Sequence, residues 1–535
     1  MNIQKNIALA TVFTLSFVVS SAHAAKFLVS FKEQGRAEAF KALAHSQASG
    51  LKVTGEVAEA NLVIVEAGTQ EMISSYVDAK DLNFIEKQIV FAAPRPQVIP
   101  TPLSGVPRMT LMSAELPVSQ GLKMIKAPEA WTVTRGKGAR VMVIDTGIDK
   151  NHPAFKGRIE KTLNFTEDKP TEDVMDTEGH GTHVAGIIAG QASQEAVGVA
   201  PEATLLIAKV CGAKGCTNDA VAKALGWAYR EKVDAVNMSL GGGGSVVERF
   251  MINQLDGEQI PVIAAMGNNG KEATPLPAGY PSVEAVGAVD FTGKRAEFSN
   301  WSAALDVMAP GVGIRSSVPL GMGRLSVASF QTVDGTFKVL PSITFGGVPA
   351  LALNQSAVFG EFGTVEDLAK VGVAGKILVV KRGNLPLLDK IKNAQTAGAA
   401  GLVICNNEGA MASGTLSEDP NEIKIPVIMV ERTAGEALIA DLAKSSTLIV
   451  KVEVQSADYA EYSGTSMASP YVAGVATLMR SMVPGLTAWK LRQIMEGTAT
   501  PIKTDIPNQT GKGLVNAKAA VDGAWEVRKK YKKAK

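Results

Sequence analysis

Val141-Met142-Val143-Ile144-Asp145-Thr146-Gly147 is an unbroken apolar, β-branched run that stops abruptly at a carboxylate and a glycine. So short a run, with no polar alternation, predicts a strand buried on both faces, as in the parallel sheets of α/β proteins. In open sheets of that class ligand and reacting groups collect at the carboxyl ends of the strands, and Asp145 stands at such an end. Downstream, Gly179-His180-Gly181-Thr182-His183-Val184-Ala185-Gly186 predicts a helix with His180 in its first turn and small or apolar residues in the next. Gly464-Thr465-Ser466-Met467-Ala468-Ser469-Pro470 then sets a serine behind a glycine turn, at the head of an apolar helical pattern running to Met482. Read alone, that stretch fits an N-capping serine with a proline in the first turn as well as a nucleophile placed at the unpaired amides of a helix N-terminus.

Taken together, the three segments favour chemistry. Asp145, His180 and Ser466 supply an orienting carboxylate, a proton-accepting imidazole and an attacking hydroxyl, in the chain order Asp, His, Ser. Val-Ile-Asp-Thr-Gly, His-Gly-Thr-His-Val-Ala-Gly and Gly-Thr-Ser-Met-Ala-Ser-Pro, in this order, resemble the subtilisin-like serine proteases. The resemblance continues through Val236–Gly242, Ala264–Asn268, Tyr280–Val283 and Asp306–Gly311. It implies a serine endopeptidase acting on proteins and peptides through an acyl-enzyme intermediate. The implied fold is α/β, a doubly wound parallel sheet. By the same resemblance Ser239, Leu240, Gly241, Ala264, Ala265 and Gly267 border the pocket for the residue before the scissile bond. Asn268 would share the oxyanion with the backbone N–H of Ser466, although Asn268-Asn269-Gly270 by itself is also a turn signal.

A chain of 535 residues is too long for one core, so several domains are expected. Lys+Arg 54 against Asp+Glu 52 leaves no global basic field for nucleic acid. Residues 1–24 carry Lys5, an apolar run from Ile7 to Val19 and Ala22-His23-Ala24, the pattern of a secretory signal peptide. The run is short for a membrane span. An exported chain without a transmembrane anchor, extracellular or periplasmic, and a monomer is expected.

Residues 25–95 read β-α-β-β-α-β, a small ferredoxin-like α+β unit, and prolines then crowd residues 96–115, an extended and cleavable linker. The resemblance makes residues 25–95 a prosegment, an intramolecular inhibitor and folding helper whose last strand fills the cleft until it is cut. The catalytic pattern occupies residues 116–318 and 457–523. Between them, residues 319–456 form a β-rich insertion similar to a protease-associated domain, with strands at Gly375–Val380, Gly401–Cys405 and Ile425–Val430 and a helix at Pro386–Ala399. Residues 524–535 end in a basic tail, read as a solvated or clipped end.

The remaining special residues narrow the chemistry. His180 and His183 are three apart on one helix, but the Glu of a His-Glu-x-x-His zinc site is missing. His183 is expected to pack or hydrogen-bond behind the site, and His152 to serve a turn near the Asp145 strand. Cys211 and Cys216 bracket Gly-Ala-Lys-Gly, and an exported chain permits a small disulfide there. Cys405 is left over in an apolar context, without the constellation of a His with an Asn nearby in sequence that would make it a nucleophile. No cofactor is required for the chemistry. The resemblance brings a calcium site near the Asp145 strand, but this chain has Ala154 where a carboxylate is usual, and Gln191 to Val199 is short for the calcium loop. Backbone ligands elsewhere would leave almost no sequence trace. The competing class is a catalytically silent binding or adhesion protein on the same fold, against which the complete set Asp145, His180, Ser466 and Asn268 argues.

Overall fold

The computed structural model describes residues 24–46, 49–94, 99–102, 118–191, 196–407, 410–413, 416, 421–445 and 447–533. Two compact units divide the chain, residues 1–88 and 89–535. In the first, an antiparallel sheet orders its strands Lys52–Val57, Leu62–Ala67, Ala25–Phe31 and Leu82–Lys87. The two helices, Gln34–Ala44 and Gln70–Ser74, fall where the β-α-β-β-α-β pattern predicts them. Phe27, Val29, Phe31, Phe40, Val63, Val65 and Ile73 make its small core. The expected leader lies outside the described residues apart from Ala24, as does most of the linker.

The second unit is built on a seven-stranded parallel sheet. Its order is Val307–Pro310, Val283–Val289, Val262–Ala265, Ala235–Met238, Arg140–Asp145, Thr204–Lys209 and Ile159–Asn164. The chain starts in the middle at Arg140–Asp145, builds toward Ile159–Asn164, and then reverses to Ala235–Met238 on the other side. That reversal places Asp145 at the topological switch point, where an open sheet leaves a crevice at its carboxyl edge. Val141 to Ile144 are fully buried, as an apolar run without alternation requires. The long helix Thr465–Met482 packs against the same sheet and is buried along nearly all its length.

The insertion leaves and returns through a neck in which Ile314–Ser317 pairs antiparallel with Tyr459–Tyr462. Beyond it lies an eight-stranded mixed sheet with its own core. Ile377–Lys381, Gly401–Cys405 and Val427–Val430 match the expected strands to within a few residues, and Leu387–Thr396 the expected helix. Two further helices, Val365–Leu368 and Arg432–Leu442, were not anticipated. The basic tail continues a helix. Ala517–Lys533 is one helix, with Ala524 buried, Lys529 and Lys530 exposed, and Arg528 over the Trp525 ring as a cation–π pair, 5.2 Å to the ring centroid. The small and apolar positions Ala517, Ala520, Val521 and Ala524 form the inward stripe that the run of lysines hides in the sequence.

Candidate active site

Asp145 ends its strand fully buried, and its Oδ1 accepts the Thr146 N–H at 2.8 Å and the His180 Nδ1–H at 2.7 Å. A ring that donates through Nδ1 has Nε2 as its acceptor when neutral. That Nε2 is buried without a hydrogen-bond partner among the described residues. The close approach of strand end and helix depends on two glycines. Gly147 has φ +113° and lies against the Val174 carbonyl, and a Cβ on Gly181 would collide with the Gly147 carbonyl.

Asp176 holds the helix in place. Its Oδ1 accepts the Thr146 hydroxyl at 2.8 Å and the Gly179 N–H at 2.9 Å, and its Oδ2 accepts the Thr182 N–H at 2.8 Å and hydroxyl at 2.7 Å. A carboxylate at a helix N-terminus satisfies amides that the helix leaves open and suits the dipole there. Thr146 completes the arrangement by accepting the Gly181 N–H at 2.8 Å. Sequence reading passed over both residues. Its available signal was an acidic residue a few positions ahead of a helical pattern.

Ser466 is the second residue of its helix, behind Gly464 at φ +154°. Its hydroxyl donates to the Ser239 carbonyl at 3.1 Å, so in this structure it is turned away from an interaction with His180 Nε2. Ser239 ties the helix down from within: its Oγ donates to the Ser466 carbonyl at 2.9 Å, meets Ser469 Oγ at 2.8 Å and accepts from Asn237 Nδ2 at 2.9 Å.

Asn268 faces the same helix start. Its Oδ1 accepts both the Thr465 N–H and the Thr465 hydroxyl at 2.8 Å, while Thr465 Oγ1 accepts the Gly267 N–H at 2.9 Å. With the oxygen held by two donors, the Nδ2 end is left facing the space above Gly464, where a Cβ on that glycine would come within 3.2 Å of it. Thr465 is thus the group that orients Asn268, a role that no local signal marks.

The expected pocket residues are brought together mainly as main chain. Ser239 and Ala264 are fully buried and Leu240 and Ala265 nearly so, whereas Gly241 is exposed and Gly267 half-buried at φ +88°. The Ser239 hydroxyl therefore faces the core, because its partners are the backbone and Ser469 of the Ser466 helix. Met266 is fully buried too and cannot shape a surface pocket. Alongside runs a hairpin, Cys211–Gly212 with Gly215–Thr217, closed by a Cys211–Cys216 disulfide. Its outer edge pairs antiparallel with Val90–Phe91, and Ile89 N–H donates to Asn218 Oδ1 at 2.9 Å. Phe91 packs on the other side against Gly242, whose missing side chain makes the room.

His183 and His152 both serve the neck. His183 Nε2 lies 3.0 Å from the Ile314 carbonyl and 3.2 Å from that of Ala460, one on each neck strand, and its ring stacks on Tyr462. Burial pushes its pKa down to about 3, so it stays neutral and donates from Nε2. His152 accepts the Ala154 N–H at Nδ1 and donates from Nε2 to the Asp458 carbonyl at 2.9 Å. Burial raises the Cys405 thiol to about 12, which leaves it no nucleophilic thiolate. Among the described residues no group of three or more His, Cys, Asp or Glu could hold a metal ion, and residues 192–195 of the expected calcium loop lie outside them. No helix among the described residues is long and apolar enough to cross a membrane.

Comparison with known proteins matches residues 136–337 to the subtilase family and residues 347–438 to the PA domain. An intracellular serine protease of Paenibacillus polymyxa is 36% identical over 284 residues, 51% of this chain and 83% of that protein. Alkaline elastase YaB of Bacillus sp. (strain YaB) is 34% identical over 356 residues, 65% of this chain and 87% of that protein. The crystal structure of the psychrophilic subtilisin-like protease Apa1 from the Antarctic psychrotroph Pseudoalteromonas sp. AS-11 superposes with a TM-score of 0.55 at 29% identity. The match covers 75% of this chain and 96% of that one.

Proposed function

The chain belongs to the subtilase family and is a subtilisin-type serine endopeptidase with an inserted PA domain, and from that premise we propose that Asp145, His180 and Ser466 are its catalytic triad. The observation that carries the assignment is the buried 2.7 Å Asp145–His180 contact, which leaves Nε2 as a bare acceptor. For attack, the Ser466 hydroxyl turns from the Ser239 carbonyl to Nε2. As Oγ bonds to the scissile carbonyl carbon, its proton passes to Nε2, and Asp145 stabilises the imidazolium. Negative charge on the carbonyl oxygen meets the Ser466 N–H and Asn268 Nδ2. His180 then returns the proton to the leaving amine, and water releases the acyl group by the same route.

A bound substrate chain would follow the path of Val90–Phe91, between the Gly215–Thr217 edge and Ser239–Gly242, with Leu240, Gly241, Ala264, Ala265 and Gly267 bordering its pocket. That strand supports the reading of residues 25–95 as an inhibitory prosegment and of the whole chain as a self-processing zymogen. The leader pattern in residues 1–24 and the disulfide support export, although two relatives are named intracellular serine proteases. The test is Ser466→Ala in the full chain. The expected result is a precursor that keeps the residues from about Ala25 onward and hydrolyses no peptide. Maturation of the purified variant at the normal rate would overturn self-processing, and normal peptide hydrolysis would overturn the triad.

A further inference from the structure

Past the strand at Val90–Phe91 the chain is held a second time, on the insertion. Ile99–Pro102 pairs antiparallel with Ala410–Ser413, in the register Ile99↔Ser413, Pro100↔Ala412, Thr101↔Met411 and Pro102↔Ala410. The two strands form a sheet of their own, apart from the eight-stranded sheet of the insertion. Ala410–Ser413 follows Gly401–Cys405, which runs parallel to Ile377–Lys381 and Val427–Val430. The docking strand thus lies just past the carboxyl end of a strand in the parallel part of the sheet, the edge at which open sheets take their ligands.

The prolines make the pairing one-sided. Pro100 and Pro102 have no N–H, so the ladder bonds must come from Ile99 and Thr101, opposite Ser413 and Met411. The outward edge of Ile99–Pro102 then carries no donor at its proline positions and cannot recruit a further strand. Recognition of this kind is by main chain, as in β-strand addition, and takes an extended segment whose alternate N–H groups, here those of Ile99 and Thr101, face the docking strand, so that prolines fit at the positions between.

We propose that Ala410–Ser413 is a docking strand of the insertion for an extended, proline-alternating segment, and that its occupant is the chain's own connection, Ile99–Pro102. The insertion thereby straps the connection between the amino-terminal unit and the protease, which is already anchored at Val90–Phe91. What the strap is for rests on reading residues 25–95 as a prosegment. Whether it exists does not, and hydrogen exchange separates the two questions.

The experiment is amide exchange on the full chain carrying Ser466→Ala, with and without Met411→Pro. The strap predicts slow exchange at Ile99 and Thr101. Met411→Pro removes one ladder donor and should speed exchange there at least tenfold while Val90 and Phe91 are unchanged. Thr101→Pro, which leaves the insertion untouched, should release Ile99 in the same way, whereas Ala412→Pro, whose N–H points away from the ladder, should not. Exchange of Ile99 and Thr101 at the rate of an unstructured peptide in the Ser466→Ala chain would overturn the proposal. So would protection that survives Thr101→Pro in an otherwise protected chain.

Discussion

At the residue scale the decisive atom is Asn268 Nδ2, because it is the end of the amide left over once Thr465 has claimed the oxygen with two hydrogen bonds. Asn268→Ala should lower kcat by about 10²–10³-fold, the cost of one such donor in subtilisin-type enzymes, with little change in KM, since the donor acts as charge develops. Thr465→Val keeps the N–H contact and loses the hydroxyl. A lost bond of about 1–1.5 kcal/mol corresponds to a roughly tenfold fall in kcat. Steady-state kinetics on one short peptide checks both, and a large rise in KM at unchanged kcat would make Asn268 a substrate-positioning group instead. Glu284 sets a second test. It is fully buried in the strand Val283–Val289, both carboxyl oxygens lack a partner among the described residues, and burial raises its pKa well above the ordinary value. A carboxyl held protonated in the folded state contributes stability that is fully present below its unfolded pKa of about 4.5 and is lost as pH rises toward the folded value. Glu284→Gln removes that loss. The variant's Tm should equal that of the unsubstituted protein near pH 4 and exceed it by a margin that grows toward pH 7. A margin independent of pH would contradict the assignment.

At the scale of elements, one strand and two helices were legible because their signals are local: an apolar run, a helical pattern behind a glycine, a glycine before a serine. Asp145, His180 and Ser466 sit where those signals put them. The contacts that support them were less so: Thr465 and the buried face of Ser239 act on residues distant in sequence, and Asp176, besides capping the nearby Thr182, reaches back to Thr146, contacts that only the fold creates. The long terminal helix was hidden for another reason: its inward stripe is mostly alanine, too weak in hydrophobic period to stand out from the lysines around it. The neck is where element and function meet. Its paired strands bring the two ends of the insertion together, Gly323 opposite Ala457, while Met322 and Tyr462 pack against Gly179 at the start of the His180 helix. Replacing residues 324–456 with a short Gly/Ser turn keeps those two contacts. It should leave hydrolysis of small peptides within a few-fold and change kcat/KM for large folded proteins. Equal proportional losses on both substrate types, in a variant shown to be folded, would make the insertion purely structural.

At the scale of the whole molecule, one catalytic crevice at the switch point of a parallel sheet is combined with an insertion on its neck and a chain segment, Val90–Phe91, lying along the hairpin edge beside it. All of these features take their meaning from Ser466 as the proposed nucleophile. The most direct measurement is labelling with a fluorophosphonate, followed by mass-spectrometric location of the adduct in the mature protein. A serine that His180 activates should be modified once, at Ser466, and His180→Ala should abolish that labelling without unfolding the chain. An adduct on another residue, or a folded and mature protein that takes no label, would contradict the account.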